Sequence, residues 1–250
     1  MRFGRPDTGF MKWRWQPDQC ELYHFDAREF LELVRGKSMA FIGDSVGRNQ
    51  AESLMCLLAN VEWPIRWMMH REKVVCWHTG STAITVLRLL VWSPNLVKFS
   101  NGNCNGSSVV GLLNLFLDKV DEGWISMIAN FGCLIISFGH WFSRPLIYHE
   151  KGKVIGCHMC QDANITTLSR YNGYRKALRT TFKAIWGIPN FKGVTILRTF
   201  FANHFGSEDW VRGNCSRTTP YRKEEMMIDA NNLEYYLTQV DEYRAAERGD

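Results

Sequence analysis

Short apolar runs alternate along the chain with segments whose apolar residues recur at helical spacing. The apolar runs predict buried strands, because a strand covered on both faces carries apolar residues at nearly every position. The segments with apolar residues three and four positions apart predict helices that bury one face. The predicted strands cover 39–42, 84–92, 133–137 and 194–200, and the predicted helices cover 28–34, 46–59 and 171–186. Strands separated by helices predict an α/β fold with a mainly parallel sheet.

The two ends of the chain depart from this pattern. Residues 1–26 are polar and aromatic with two prolines, which predicts an irregular segment that wraps the surface. Residues 224–247 are charged and helical in character, with a modest apolar stripe along the helix. The stripe consists of Leu233, Tyr236, Leu237 and Val240.

The boundary between the first predicted strand and the next helix carries the most informative residues. Gly43 permits a tight turn, and Ser45 follows Asp44 at the first turn of the helix. This position exposes the serine hydroxyl at the carboxyl edge of the sheet, where α/β proteins bind ligands. The backbone N–H groups of the helix start also face that point. Acyl transfer needs a nucleophile and donors for an oxyanion, whereas the alternative is that Asp44 or Ser45 only caps the helix.

Composition limits the classes of partner. The chain has 250 residues and a formal net charge of +5, and its Lys and Arg residues form no run. Because nucleic acid calls for a concentrated basic face, we do not expect a nucleic-acid partner. The count of 10 tryptophans is unusual. Most are expected in the core, but Trp13 and Trp15, two apart beside basic residues, predict a surface for a sugar or another partner.

The cysteines and glycosylation sequons favour an oxidising compartment. An even, dispersed set of 8 cysteines permits four disulfides of unspecified pairing. Only Cys157 and Cys160 have the Cys-x-x-Cys spacing, without the second pair that a zinc site needs and without the early position typical of a thioredoxin-like unit. The sequons begin at Asn105, Asn164 and Asn214.

No targeting or membrane segment accompanies this cysteine usage. The first residues contain no apolar stretch typical of a signal peptide. The sequence also has no uninterrupted apolar run of about 18 residues, the length that spans a bilayer. We therefore expect a chain that is either cytosolic or incomplete.

Further short blocks accompany Gly43-Asp44-Ser45 along nearly the whole chain. They are Arg48-Asn49-Gln50 and residues 4–7, 12–17, 20–22, 139–145, 156–160, 173–177, 198–200 and 213–215. Together these blocks resemble the plant trichome-birefringence-like family of polysaccharide O-acetyltransferases, relatives of the GDSL/SGNH esterases. The Cys-His-x-Cys block at 157–160 looks most like the branch that acetylates xyloglucan.

The resemblance implies a three-layer α/β/α fold of the SGNH/GDSL-hydrolase type, with a mainly parallel sheet and extra disulfide-stapled loops. Residues 1–26 would end the family's N-terminal segment, and 27–250 would form the acyltransferase domain. The family implies an enzyme of the Golgi lumen with an N-terminal membrane anchor. It uses an acetyl donor, either acetyl-CoA or an acetylated intermediate, and a cell-wall polysaccharide acceptor, with no metal or bound cofactor.

The same resemblance assigns roles at the turn. Ser45 would be the nucleophile that takes the acetyl group and passes it to a sugar hydroxyl. The residues expected to bind the oxyanion or substrate are Gly43, Asp44, Arg48, Asn49 and His140. Trp13 and Trp141 are the candidates for stacking on sugar rings.

The family's Asp-x-x-His motif, which supplies the base for the serine, is missing. None of the 7 histidines has an aspartate three positions upstream. The sequence therefore looks truncated at both ends, and we expect the 250-residue chain to be inactive. Other candidate bases are His140, which follows a predicted strand, and His24, which lies three positions after Glu21.

Xyloglucan is the first expected acceptor, with xylan or another hemicellulose as alternatives. Two other functions remain open on the same residues. The chain would be a non-enzymatic polysaccharide-binding protein if its tryptophans bind the sugar and no reaction follows, because the base is missing. It would be a GDSL-type carbohydrate esterase if water replaces the sugar as acceptor.

Overall fold

The computed structural model describes residues 7–17, 19–59, 73–76, 88–92, 97–101, 112–160, 162–200, 218–225 and 229–248. The helices in these ranges are α1 (Ala27–Leu33), α2 (Ser45–Ala59), α3 (Glu122–Ile125), α4 (Arg170–Trp186) and α5 (Ala230–Arg248). The strands are β1 (Ser38–Gly43), β2 (Lys73–Cys76), β3 (Arg88–Trp92), β4 (Val97–Asn101), β5 (Leu113–Val120), β6 (Cys133–Ser137), β7 (Leu146–Glu150), β8 (Lys153–His158) and β9 (Val194–Leu197). Short 3₁₀ turns cover Gly9–Lys12, Ile128–Asn130, His140–Ser143 and Lys223–Glu225.

The predicted strands form the main sheet, whose order is β2-β3-β1-β6-β9. β1 pairs in parallel with β3 and β6, and β6 pairs in parallel with β9, while β2 is antiparallel to β3. The mainly parallel sheet is therefore confirmed. The last predicted strand was too long, because β9 ends at Leu197. Residues 84–87 of the second predicted strand lie outside the described residues.

Helices cover both faces of this sheet, which confirms the three-layer α/β/α architecture. Met39 and Phe41 of β1 pack with α1 and α2, including the buried Met55 and Leu58. The alternate residues, which point to the other face, pack with α4. They are Ala40 and Ile42 of β1 and Leu134 and Ile136 of β6. Successive side chains of a strand point to opposite faces, so each apolar run supplies both layers at once.

A second sheet of order β4-β5-β7-β8 packs on the other side of α4, and apolar runs did not predict it. Only its central pair, β5 and β7, is parallel. β5 is buried at alternate positions, Leu115 and Leu117, while Phe116 between them is only partly buried and Asp118 is exposed. Such half-buried strands give a weaker signal than the continuous runs of a parallel sheet.

The last helix buries a polar face, which the apolar stripe did not indicate. Leu233, Tyr236 and Leu237 are exposed, whereas the buried face consists of Asn232, Tyr235, Thr238, Gln239 and Glu242. The carboxylate of Glu242 is 3% exposed and forms ion pairs with the Arg175 and Arg179 guanidiniums of α4, at 3.1 Å and 2.9 Å. Apolar periodicity therefore identifies the wrong face of α5 as the buried one. The polar residues can be buried because partners on α4 satisfy their hydrogen bonds and charges. The helix begins at Ala230, later than predicted.

A disulfide joins Cys157 at the end of β8 to Cys160 in the following loop. Among the described residues, Cys20, Cys56 and Cys133 form no disulfide, and burial raises the pKa of the Cys133 thiol. The side chains of Cys76, Cys104 and Cys215 lie outside the described part of the chain. The expectation of a disulfide-stapled loop is thus confirmed for one loop.

The structure bears on two features expected from the sequence, the boundary after residue 26 and the lack of a membrane-spanning segment. α1 begins at Ala27, next to the boundary expected between 26 and 27, although the division into domains stays a prediction. Within the described ranges, no helix combines the length and the apolar character that crossing a membrane requires.

Candidate active site

Three parallel strands end at one edge of the main sheet and bring distant parts of the chain together there. β1 leads into Ser45, β6 leads into residues 138–140, and β9 leads into residues 198–200. Gly43 and Ser137 are paired at the end of the ladder, so closely that a Cβ on Gly43 would lie 1.7 Å from the Ser137 carbonyl oxygen. Glycine is thus required at this turn because the neighbouring strand leaves no room for a side chain.

Asp44 is the structural centre of this edge. Its buried carboxylate is 1% exposed. One oxygen accepts from the Val46 N–H at 3.0 Å and caps α2. The other oxygen accepts from the N–H groups of Gly139 and His140, both at 3.0 Å. The carboxylate therefore ties the serine turn, residues 43–45, to the loop after β6, and its acceptor sites are directed into the protein.

Ser45 occupies the first position of α2 and is exposed. The first helical bond of α2 runs from the Arg48 N–H to the Asp44 carbonyl, at 3.2 Å, so the Ser45 N–H precedes the intrahelical bonds. Arg48 and Asn49 are exposed three and four positions later. Residues at this spacing share one helix face, which brings the three predicted residues together beside the sheet edge. The Arg48 Nε lies 3.9 Å from the Glu52 carboxylate on the same face.

His140 lies at the same edge and is held from two sides. Its backbone N–H is bound by Asp44, and its ring lies against the Phe200 ring with 4.7 Å between centroids. Burial lowers the pKa of His140, and the positive charge of Arg198 lowers it further, while the Asp44 carboxylate opposes both effects. These effects favour the neutral imidazole, which is the form that can accept a proton.

A small depression lies beyond the ends of β1, β6 and β9. Half-buried Arg198 contributes to it, and burial lowers the pKa of that guanidinium against the opposing effect of Asp44. Its lining comprises Asp44, Val46, Ser137, Phe138, His140, Arg198, Thr199, Phe200 and Gln239.

Gln239 reaches this depression from α5, and no motif in the sequence marked it. Its side chain is fully buried. The amide Nε2 donates to the Phe138 carbonyl at 3.3 Å, and the amide oxygen accepts from the Phe200 N–H at 2.5 Å. The Tyr174 hydroxyl donates to the same Phe138 carbonyl at 2.7 Å. Gln239 thus joins the loops that follow β6 and β9, on either side of His140.

The tryptophan candidates differ in how much ring they present. Trp141 is half-buried, and the Arg144 guanidinium lies 4.2 Å from its ring centroid, so the cation covers one face. Trp13 is half-buried at the end of the turn Gly9–Lys12. Trp15 is 73% exposed and presents the larger surface. The sugar-stacking roles of Trp13 and Trp141 stay predictions.

No group of three or more metal-binding side chains occurs in the part of the chain that the structure describes. His24 is exposed in the segment before α1. The roles assigned to Ser45, Arg48, Asn49 and His140 in a reaction likewise stay predictions.

Comparison with known proteins agrees with this architecture. Residues 22–249 match the family model described as PC-Esterase, the GDSL/SGNH-like acyl-esterase family found in Pmr5 and Cas1p. The chain is 44% identical over 99% of its length to protein trichome birefringence-like 20 of Arabidopsis thaliana, covering 52% of that protein. It is 39% identical to xyloglucan O-acetyltransferase 1 of Arabidopsis thaliana and to xyloglucan O-acetyltransferase 4 of Populus trichocarpa. Those alignments cover 98% and 99% of this chain, and 57% and 59% of the relatives.

The chain therefore spans little more than half the length of these relatives. The match nevertheless includes α1, the serine turn, the second sheet and α5. The chain belongs to the PC-esterase family of GDSL/SGNH-like acyl esterases.

Proposed function

We propose that this chain carries the nucleophile half of a plant polysaccharide O-acetyltransferase, with Ser45 as the residue that takes the acetyl group. The observation that carries the proposal is the position of Ser45. It is exposed at the first residue of α2, at the edge where three parallel strands end. Family membership and relatives named xyloglucan O-acetyltransferases support the reaction class.

The proposed reaction has two steps. The Ser45 Oγ attacks the carbonyl carbon of the acetyl donor, the hydroxyl proton passes to a base, and the donor's leaving group departs. A hydroxyl of the polysaccharide then attacks the carbonyl carbon of the acetyl-Ser45 ester, the bond from that carbon to the Ser45 Oγ breaks, and the sugar's hydroxyl proton passes by way of the base to the Ser45 Oγ. In both steps the negative charge on the carbonyl oxygen would lie near the start of α2, whose N–H groups and positive end favour it.

Asp44 serves this reaction indirectly. Its bonds to Val46, Gly139 and His140 hold the serine turn and the histidine loop in one arrangement. Rigid support of this kind keeps a nucleophile within the narrow geometry that acyl transfer demands. The Arg48 and Asn49 side chains lie on the same exposed face as Ser45, where we assign them to the oxyanion or the acceptor.

The proposed mechanism lacks a well-placed base among the residues that the structure describes. The Asp-x-x-His motif is absent, and His140 is the described histidine at the sheet edge. Nucleophile and base act as a unit, so we expect acetyl transfer by the 250-residue chain to be at least ~10³-fold slower than by a relative that has the motif. Turnover close to that of such a relative would contradict this expectation.

The experiment is site-resolved acetylation of the purified chain with a reactive acetyl ester, followed by peptide mass spectrometry. The expected result is preferential labelling of Ser45 over the exposed serines Ser126 and Ser143, which serve as internal controls. Ser45→Ala should abolish that label and leave the controls unchanged. Equal labelling of all three serines would refute activation of Ser45.

The same labelled protein separates the proposed transferase from its alternatives. Adding a xyloglucan oligosaccharide should move acetyl groups onto the sugar, with a xylan oligosaccharide as the comparison acceptor. Release of acetate alone, unaffected by either sugar, would instead favour a carbohydrate esterase. Retention on a xyloglucan column that survives Ser45→Ala but falls with Trp13→Ala or Trp141→Ala, without acyl transfer, would favour a binding protein. We also propose action in the Golgi lumen, testable by microscopy of the tagged protein in plant cells.

A further inference from the structure

One sequon lies in a described loop of the second sheet. The segment between β8 and α4, described at 159–160 and 162–169, includes Asn164-Ile165-Thr166. Asn-x-Ser/Thr is the acceptor sequence for N-linked glycosylation when the middle residue is not proline. The other two sequons, at Asn105 and Asn214, lie outside the described residues.

The loop presents the sequon outward in a defined turn. The Asp162 carboxylate accepts from the Asn164 N–H at 2.9 Å, and the Asp162 carbonyl accepts from the Ile165 N–H at 3.2 Å. The side chains of Asn164 and Thr166 are both exposed, while Ile165 between them packs toward buried Cys157. The acceptor amide and the hydroxyl that the sequon requires therefore face solvent together.

The end of the sequon is anchored to β8. The Cys157 N–H donates to the Thr166 carbonyl at 2.9 Å, and the Leu168 N–H donates to the Cys157 carbonyl at 2.7 Å. Cys157 is also disulfide-bonded to Cys160, four residues before Asn164. A disulfide beside the sequon is typical of a chain that folds in an oxidising compartment, which is where N-glycosylation takes place.

We propose that Asn164 carries an N-linked glycan. The Asn164 Nδ2 would form a bond to the anomeric carbon of a lipid-pyrophosphate-linked oligosaccharide. The bond between that carbon and the pyrophosphate breaks, and the nitrogen gives up one proton. A glycan at this turn displaces no packed side chain, because the Asn164 side chain is exposed. The modification does not depend on the acyl-transfer proposal.

The test is to direct the full chain into the secretory lumen of eukaryotic cells with a cleavable signal sequence. Glycopeptides from the whole-cell extract are then mapped by mass spectrometry after enzymatic removal of the glycans in heavy-oxygen water. The expected result is a heavy-oxygen mark at position 164. Asn164→Gln and Thr166→Ala should each remove one glycan from the protein, seen as one step in gel mobility that glycosidase treatment eliminates.

Two controls keep the comparison specific. Thr166→Ser retains a valid sequon and should keep the glycan. Thr167→Ala changes the adjacent exposed threonine and should leave it in place. The glycan is added as the chain enters the lumen, before folding is complete. The mobility step therefore shows whether position 164 is glycosylated even in a variant that fails to fold. Recovery of the 164 peptide without modification overturns the proposal, whether or not Asn105 and Asn214 are glycosylated.

Discussion

Replacement of Asp44 by asparagine should destabilise the protein far more than its small chemical change suggests. The carboxylate accepts three backbone N–H groups with two oxygens, whereas asparagine offers one oxygen. In the least costly arrangement that oxygen faces Gly139 and His140, and the cap on Val46 is lost. The lost cap costs about 1 kcal/mol. A neutral acceptor weakens each of the other two bonds by about 0.5–1.5 kcal/mol, so we expect a total loss of about 2–4 kcal/mol.

Urea unfolding measures this loss directly. The midpoint of Asp44→Asn should fall by about 1 M with an unchanged denaturant slope. The matched control is Asp26→Asn. Asp26 also caps a helix, α1, by accepting from the Arg28 and Glu29 N–H groups at 2.8 Å and 3.1 Å, but its carboxylate is solvent-exposed. Asparagine caps a helix as well as aspartate does, so Asp26→Asn should change stability by less than about 0.5 kcal/mol. Equal midpoints for the two variants would refute the role given to the buried carboxylate.

Three further perturbations test the rest of the fold. Gly43→Ala should cost more than about 3 kcal/mol, measured by urea unfolding, because its Cβ meets a backbone oxygen that cannot rotate away. Glu242→Ala should cost about 1.5–3 kcal/mol, because the buried carboxylate loses its charged hydrogen bonds to Arg175 and Arg179, whose own side chains stay partly hydrated at 38% and 54% exposure. Asp241→Ala, with a 60% exposed carboxylate 3.6 Å from Arg175, should cost less than about 1 kcal/mol, and a reversed order would contradict the assigned burial. Stability should also fall as pH drops below about 6.5, because burial lowers the folded-state pKa of several histidines and the unfolded chain binds more protons. These histidines are His140, His149 and His158. A urea midpoint that stays constant from pH 7 to about pH 5 would contradict this sign.

The polar face of α5 links the last helix to the site. Gln239 bonds the loops after β6 and β9, and Tyr235 stacks on Phe200 with 4.6 Å between centroids. Phe200 in turn contacts the His140 ring. The packing of α5 on α4 therefore supports the arrangement of the sheet edge, although α5 contributes no residue of the serine turn.

Sequence patterns succeed where the determining interactions are local. Apolar runs predict β1 and β6 to within one residue at each end, and helical spacing predicts α2 and α4 equally well. The start of α2 is also set locally, because the Asp44 side chain caps the helix through the N–H of Val46, two residues later. These features follow from backbone preferences and from burial on both faces of a sheet.

Tertiary structure alone decides the features that depend on partners far along the chain. Asp44 binds N–H groups 95 and 96 residues away, and Gln239 binds a carbonyl 101 residues away. Their side chains show no apolar pattern, and they become buried only because the distant partners satisfy their hydrogen bonds. The buried face of α5 has the same origin, because Arg175 and Arg179 reach Glu242 from another helix. The sequence by itself thus determines the sheet and the serine turn, and long-range polar contacts determine what surrounds them.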